Sequence, residues 1–374
     1  MDLPLRFLAV MMCTHVSFTS MRLALTLAAL QQQASPLEVG IILSLLMVVP
    51  VFTSVAIGRW TDRAGHVPPS VIGMGLTLAG GLLAAGFPGL VGLGGGAVLI
   101  GSGQAMVQVA MMHAIGRAPG PRGAAQAFSA LSLGYSISGF VGPVATGVII
   151  DQAGHQVAFF ALCVPAIAGL VLALRDNGVP DGAGVASAKA RSAKGLLADP
   201  EVRAVLITTA LLAMSWDLFT FVMPLHASRL GLSATAIGTV AGCFAAGSFS
   251  IRLVLGRIAA RFGEQRILFF ALTATALCYA VFPFATAFPA LAGLAYTLGL
   301  VLGSGQPMAM SLLHRSTPAE RSGEAMGVRT VIVSISQTTL PLVFGALGAV
   351  LGTAPVFWAV AALVGGGVAY SRRP

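Results

Sequence analysis

The chain of 374 residues is 56% hydrophobic, carries Asp, Glu, Lys or Arg at only 9% of its positions, and has a formal net charge of +9. Soluble domains run near 45–50% apolar and about 25% charged, so 21 basic and 12 acidic side chains cannot clothe a water-soluble surface of this size. The bases fall in ones and twos between apolar runs, which excludes a nucleic-acid-binding stripe despite the positive charge.

A membrane-spanning helix needs about 20 apolar residues, so this length holds roughly a dozen passes. Apolar runs broken by charges, Gly/Pro pairs and turn residues predict helices near 6–30, 36–58, 69–88, 90–114, 123–150, 156–174, 203–227, 234–256, 266–285, 287–313, 325–350 and 353–370. Arg6 leads into a first run that reaches Leu30, longer than a signal-peptide core and without a small-residue cleavage site, so it is expected to stay as the first span. Before the second, Ser35-Pro36-Leu37-Glu38 combines an N-cap, a proline at the first helical position and a glutamate three residues on. Asp199-Pro200-Glu201 opens the seventh in a similar way.

Residues 175–202 hold Asn177-Gly178, Asp181-Gly182, Ala/Ser repeats, Lys189, Arg191 and Lys194, a linker composition that divides the chain into 1–174 and 203–374. On this map 19 of the 21 Lys and Arg residues lie at the termini, in the linker, in the other even-numbered connections or within about a turn of these, all but Arg22 and Arg229. The positive-inside rule then puts both termini and the linker in the cytoplasm of a protein expected in the cell's inner membrane. Cys13, Cys163, Cys243 and Cys278 sit inside apolar runs without metal-ligand spacing and read as small core residues. No metal site or cofactor is expected. There is also no nucleotide-binding loop of the form Gly-x-x-x-x-Gly-Lys-Ser/Thr.

The halves repeat one another. Gly58-Arg59-Trp60-Thr61-Asp62-Arg63-Ala64-Gly65 after the second span is answered 198 residues later by Gly256-Arg257-Ile258-Ala259-Ala260-Arg261-Phe262-Gly263 after the eighth. At the same offset Ser35 meets Ser233 and Gly40 meets Gly238. Gly101-Ser102-Gly103-Gln104-Ala105-Met106 in the fourth span is echoed by Gly303-Ser304-Gly305-Gln306-Pro307-Met308 in the tenth. Two matches in the same order at nearly equal spacing indicate parallel six-helix repeats.

The loop Gly58-x-x-x-Asp62-Arg63-x-Gly65 resembles the signature of the major facilitator superfamily between its second and third spans, with a degenerate copy after the eighth in which Ala260 replaces the acid. The resemblance covers the whole chain. It implies an all-α membrane fold of twelve helices in two pseudo-symmetric six-helix bundles, with the loop acting as a latch whose acid meets the start of span eleven. Gly58, Asp62, Arg63 and Gly65, with Gly256, Arg257, Arg261 and Gly263 in the second copy, would then be gating residues. In span five, Gly134, Gly139, Gly142-Pro143 and Gly147 form a pattern similar to the glycine-proline motif of the superfamily's proton-coupled drug exporters. Simple helix packing accounts for it equally well. Span four has no arginine between Ala97 and Gly103, where such exporters usually carry one.

An ionisable group inside the membrane is costly and therefore a functional candidate. Among the acids only Asp217 is clearly intramembrane, about 21 Å along its span when counted from Arg203 at ~1.5 Å per residue. Arg22 lies at a similar depth in the symmetry-related first span. The resemblance implies that both line the central cavity, where they would pair reversibly as a proton or an ionic substrate binds; a permanent structural ion pair, or an Arg22 that snorkels to the interface, is the alternative. Gln104 and Gln108 share a face with Met111 at helical spacing, and Gln306 repeats the first of them, which points to amide hydrogen bonds with a polar substrate or else between helices. Gln337 is a poorer candidate. Trp216, Phe219 and Phe221 around Asp217, with Met106, Met111, Met112, Met214, Met223, Met308 and Met310, would give adaptable apolar walls or plain core. His15, seven residues before Arg22, would join a proton route or bond Thr14 or Ser17 locally. Arg252 and Arg329 would anchor the inner gate with Glu320 or Glu324, or snorkel.

The function expected is secondary active transport of a small organic molecule by a monomer, as proton-driven efflux of an amphipathic compound. A facilitator or proton symporter importing a small metabolite is the alternative within transport. A non-transporting membrane sensor is the alternative of another class. An enzyme is not expected, because one buried acid does not make a converging cluster of catalytic groups.

Overall fold

The computed structural model describes residues 3–116, 123–175, 199–317 and 322–371, and the regular structure among them is entirely helical. In chain order these are α1 (Leu3–Gln31), α2 (Pro36–Ala64), α3 (Val67–Gly86) and α4 (Leu90–Gly116). The stretch Gly123–Leu174 follows, interrupted at Gly154 by φ 82° and ψ 171°. No α-helix holds that conformation, so the stretch is two helices, α5 up to residue 153 and α6 from residue 155. Then come α7 (Pro200–Arg229), α8 (Ala234–Phe262) and α9 (Glu264–Val281), with a 3₁₀ turn over Phe282–Phe284. The chain ends in α10 (Phe288–Ser316), α11 (Ser322–Leu351) and α12 (Thr353–Ser371).

Helix starts follow local chemistry. At α2 the Ser35 hydroxyl accepts from the Glu38 N–H and the Glu38 carboxylate accepts from the Ser35 N–H at 2.7 Å, a complete capping box. At α7 an Asp199 carboxylate oxygen accepts from the Val202 N–H at 3.4 Å. Among the described residues ten helical stretches are long and apolar enough to cross a membrane, with 131–174 counted as one, and a further apolar helix over 353–368 is shorter. Large apolar side chains such as Phe52 (79% exposed), Phe270 and Leu277 stand outward, as expected where acyl chains rather than water surround the protein.

The chain forms two compact units. The first comprises Met1–Ala186 with Ser233–Gly242, and the second Ser187–Leu232 with Cys243–Pro374. In the first unit α1 packs on α5 and α4, while α3 and α2 pack on α4. Its apolar centre joins Phe7 and Met11 of α1, Met74 of α3, Val107 and Met111 of α4 and Leu131 of α5. In the second unit α7 packs on α10, α11 and α12, and α9 packs on α10 and α12. There Val202, Val205 and Leu206 of α7 meet Leu313 of α10 and Ala325 of α11.

The internal repeat is visible in packing. Lipid competes with apolar side chains for helix surfaces, so membrane helices associate chiefly where small residues let backbones approach. A methyl group added at Gly101 of α4 would lie 1.7 Å from the Leu46 carbonyl oxygen of α2, and one added at Gly303 of α10 would lie 2.7 Å from the Ser248 Cα of α8. In each case the partner is 55 residues earlier in the chain. The two signature loops match as well, since Gly65 (φ 80°) and Gly263 (φ 77°), 198 residues apart, both end a helix in the left-handed region that favours glycine.

Ser233–Gly242, the beginning of α8, groups with the first unit rather than with the rest of its helix. Asp151, where α5 gives way to α6, accepts hydrogen bonds from the N–H groups of Ala234 (3.0 Å) and Thr235 (2.8 Å). Ser233 adds a bond from the Ala236 N–H at 3.2 Å. Added methyls at Gly147 of α5 and Gly238 of α8 would each come 2.2 Å from a backbone carbonyl oxygen, that of Ala234 and of Pro143 respectively. Pro143 and Gly147 of the span-five pattern thus pack against the N-terminal turns of α8, whereas Gly134 and Gly142 pack against Met12, Thr19 and Ser20 of α1.

Candidate functional site

In the second unit Asp217, 6% exposed on α7, is the acid buried within a span. The Gln337 side-chain amide of α11 donates to its Oδ1 at 3.5 Å. The residue the sequence ranks as a poor candidate is thus a direct partner of the leading one. Two turns earlier on α11, the Arg329 guanidinium donates to Gln306 Oε1 of α10 at 3.1 Å. Arg329 Nε is buried with no hydrogen-bond partner among the described residues. The carboxylates expected beside Arg329, Glu320 and the side chain of Glu324, lie outside the described residues; its described partner is the Gln306 amide. Three helices, α7, α10 and α11, bring Asp217, Gln337, Gln306 and Arg329 into one unit. Pairing across helices was not legible because the residues lie 120 and 23 positions apart.

The aromatic residues beside Asp217 in the chain turn to another face of α7. Trp216 packs edge-on against Phe244 of α8 at 4.6 Å between ring centroids, and Phe219 stacks on the same ring at 4.4 Å. Trp216 thus serves the α7–α8 packing. The Tyr279 hydroxyl of α9 donates to the Ser215 carbonyl oxygen, fixing the turn of α7 that carries Asp217.

In the first unit α1 offers His15 and Arg22, both half-buried. The His15 ring lies 4.3 Å from that of Tyr135 on α5. His15 Nδ1 and the Tyr135 hydroxyl are buried without a hydrogen-bond partner among the described residues, and so is Ser17 Oγ. The Thr14 hydroxyl turns to the Val10 carbonyl oxygen and the Met74 sulfur. The local bond expected from His15 to Thr14 or Ser17 is therefore absent among the described residues, and the His15 ring packs at a tilt against Tyr135 of α5. Gln104 is 8% exposed, and its Oε1 is an unsatisfied buried acceptor among the described residues. Gln108 is exposed while Met111 is buried. The shared face divides because positions 108 and 111 lie on opposite flanks of position 104, about 60° apart at 3.6 residues per turn.

At the α2–α3 junction Asp62 is exposed, and its Oδ1 lies 3.1 Å from His113 Nε2 near the end of α4. Arg63 is exposed. His66, next to Gly65, is buried against Phe7, with ring centroids 4.8 Å apart. The second copy has a counterpart, since Glu264 in the first turn of α9 accepts from Ser311 Oγ and from Arg315 near the end of α10 at 3.4 Å. Arg257 and Arg261 are exposed.

The profile of the Major Facilitator Superfamily matches residues 7–204 and 205–373, once in each half. The chain belongs to the Major Facilitator Superfamily. With its apolar helices it is a multi-pass membrane protein of that superfamily. Among individual superfamily relatives it is similar to the multidrug resistance protein MdtG of Klebsiella pneumoniae (strain 342), with 25% identity over 263 residues. The match covers 66% of this chain and 63% of that relative. Solved structures share the fold at low identity. The nucleoside transporter NupG superposes with a TM-score of 0.81 at 12% identity, covering 99% of both chains. A POT family transporter in complex with 5-aminolevulinic acid gives 0.80 at 13% identity, covering 98% of this chain and 94% of the other.

Proposed function

We propose that this superfamily member is a proton-driven exporter of small amphipathic organic molecules, working by alternating access with Asp217 as the proton-carrying group. The observation that carries the reading is Asp217 buried on α7 with the Gln337 amide as its partner. A carboxamide has both a donor and an acceptor, so Gln337 can donate to a carboxylate and can accept from a carboxylic acid after a small rotation. A site that must exist in two protonation states is served by the amide.

Substrate selection rests on the polar groups left with unused capacity. Arg329 Nε in the second unit, and Gln104 Oε1 and His15 Nδ1 in the first, are buried donors or acceptors without partners among the described residues. Each unmet group costs free energy in the empty protein that a polar substrate would offset by bonding to it. Methionine side chains such as Met214 and Met308 supply adaptable apolar contact, and Arg22 supplies a further charge. The signature loops from Gly58 to Gly65 and from Gly256 to Gly263 act as gate elements. Both termini are placed in the cytoplasm by the distribution of Lys and Arg, in an inner-membrane protein working as a monomer. The similarity to MdtG supports efflux as the direction.

The test is substrate flux in proteoliposomes with an imposed pH gradient, comparing the native chain with Asp217→Asn. The variant should lose proton-driven flux at least tenfold while remaining folded and monodisperse. Full pH-gradient drive in Asp217→Asn refutes the assignment. Counterflow that persists in the variant without a gradient would indicate a facilitator.

A further inference from the structure

The second unit has an apolar groove of about 460 Å³ between α8, α9 and α10, away from Asp217 and its partners. Leu255 and Phe262 of α8, Ile267 and Ala274 of α9, and Val301 and Ser304 of α10 are among its lining residues. The Ser304 hydroxyl is turned to its own helix, bonding the Val301 carbonyl oxygen at 2.7 Å, so the groove offers an occupant nothing polar along its walls. From Ile251 to Phe262 it follows eleven residues of α8, about 16 Å at 1.5 Å per residue. Half of a hydrocarbon core about 30 Å thick is nearly the same length. The groove is as long as one leaflet is deep.

The charges at one end decide which lipid fits. Arg257 and Arg261 of α8 and Arg266 of α9 are exposed around the α8–α9 turn, and none has a carboxylate within ion-pair distance among the described residues. The nearby acid, Glu264, is taken by Arg315 and Ser311. Arg261 holds its guanidinium carbon 5.4 Å from the centre of the Phe262 ring, and that ring lines the groove, so charge and apolar wall meet at the mouth. Exposed guanidinium groups above a leaflet-long apolar slot match a negatively charged headgroup with its acyl chain below.

We infer that the α8–α9–α10 groove is a binding site for an anionic membrane phospholipid, whose acyl chain lies along Leu255, Ile267 and Val301 and whose phosphate meets Arg257, Arg261 and Arg266. A lipid held there braces the second signature loop, because two of these arginines lie within it. The inference does not depend on which solute is carried or on Asp217.

The purified full chain, delipidated in detergent and titrated with palmitoyl-oleoyl phosphatidylglycerol or phosphatidylcholine, tests this by native mass spectrometry. Phosphatidylglycerol should bind at least tenfold tighter than phosphatidylcholine. Each neutralised arginine should weaken it about fivefold, as expected for one basic group near an anionic surface. R261Q with R266Q changes only exposed side chains and should leave the fold intact, while Ala274→Phe fills the groove and should abolish the preference between lipids. Equal binding of the two lipids, or phosphatidylglycerol binding unchanged in R261Q with R266Q or in a folded Ala274→Phe, would overturn the assignment.

Discussion

Alanine substitution at Gly101 puts the repeat packing under direct load. The new methyl would fall 1.7 Å from the Leu46 carbonyl oxygen, whereas ordinary contact needs at least 3.4 Å, so α2 and α4 would have to separate by about 1.7 Å along that line. Both atoms belong to helix backbone or are fixed to it, so no side-chain rotation relieves the overlap. Overpacking of this kind costs about 1–3 kcal/mol, and Gly101→Ala is expected near the top of that range. Gly303→Ala meets Ser248 Cα at 2.7 Å, needs a shift of only about 0.7 Å, and belongs near the bottom. Gly75, also mid-helix, has nothing within 4 Å of the corresponding position. Gly75→Ala should therefore be neutral or stabilising by up to about 1 kcal/mol, from helix propensity alone. Unfolding by dodecyl sulfate in mixed micelles, followed by circular dichroism, gives the three values on one scale. If Gly101→Ala and Gly75→Ala unfold at the same detergent fraction, close backbone approach is not what joins α2 to α4.

Two further outcomes follow from single contacts. Asp151→Ala removes the acceptor of the first two exposed N–H groups of α8 and should lower stability by about 1 kcal/mol in the same unfolding assay, with Asp151→Asn retaining part of it. Gln306→Leu leaves the Arg329 guanidinium without its amide acceptor; thermal unfolding should show a loss of about 1–2 kcal/mol, and Arg329→Met in the same background should recover part of it. No recovery would mean that the amide and the guanidinium are not coupled.

What was readable in the sequence follows the period of the signal. Helix positions come from long apolar runs and their caps, and the Ser35–Glu38 box forms with both of its bonds. The two halves were legible because Gly65 and Gly263 need the same unusual backbone angle, which restricts both sites to the same residue type. Asp217 stood out because an acid in an apolar run is rare. Its partner did not, since any of several intramembrane amides satisfies composition, and only the packing of α7 on α11 selects Gln337. The Gln306 partner of Arg329 was hidden for the same reason: depth along a span is readable from residue counts, but rotation about the helix axis is not. Asp151 was overlooked because an acid near the end of a span resembles ordinary interfacial charge until the α8 N-terminus is seen against it.

The grouping of Ser233–Gly242 with the first unit bears on how the polypeptide is made. During synthesis the first six helices emerge with Asp151 and the Pro143 and Gly147 surface still bare, and the ten residues that cover them arrive only after the linker and all of α7 have been translated. Membrane insertion of the early helices thus ends with a vacancy that a later segment must fill, making residues 233–242 a keystone for the half of the molecule that precedes them.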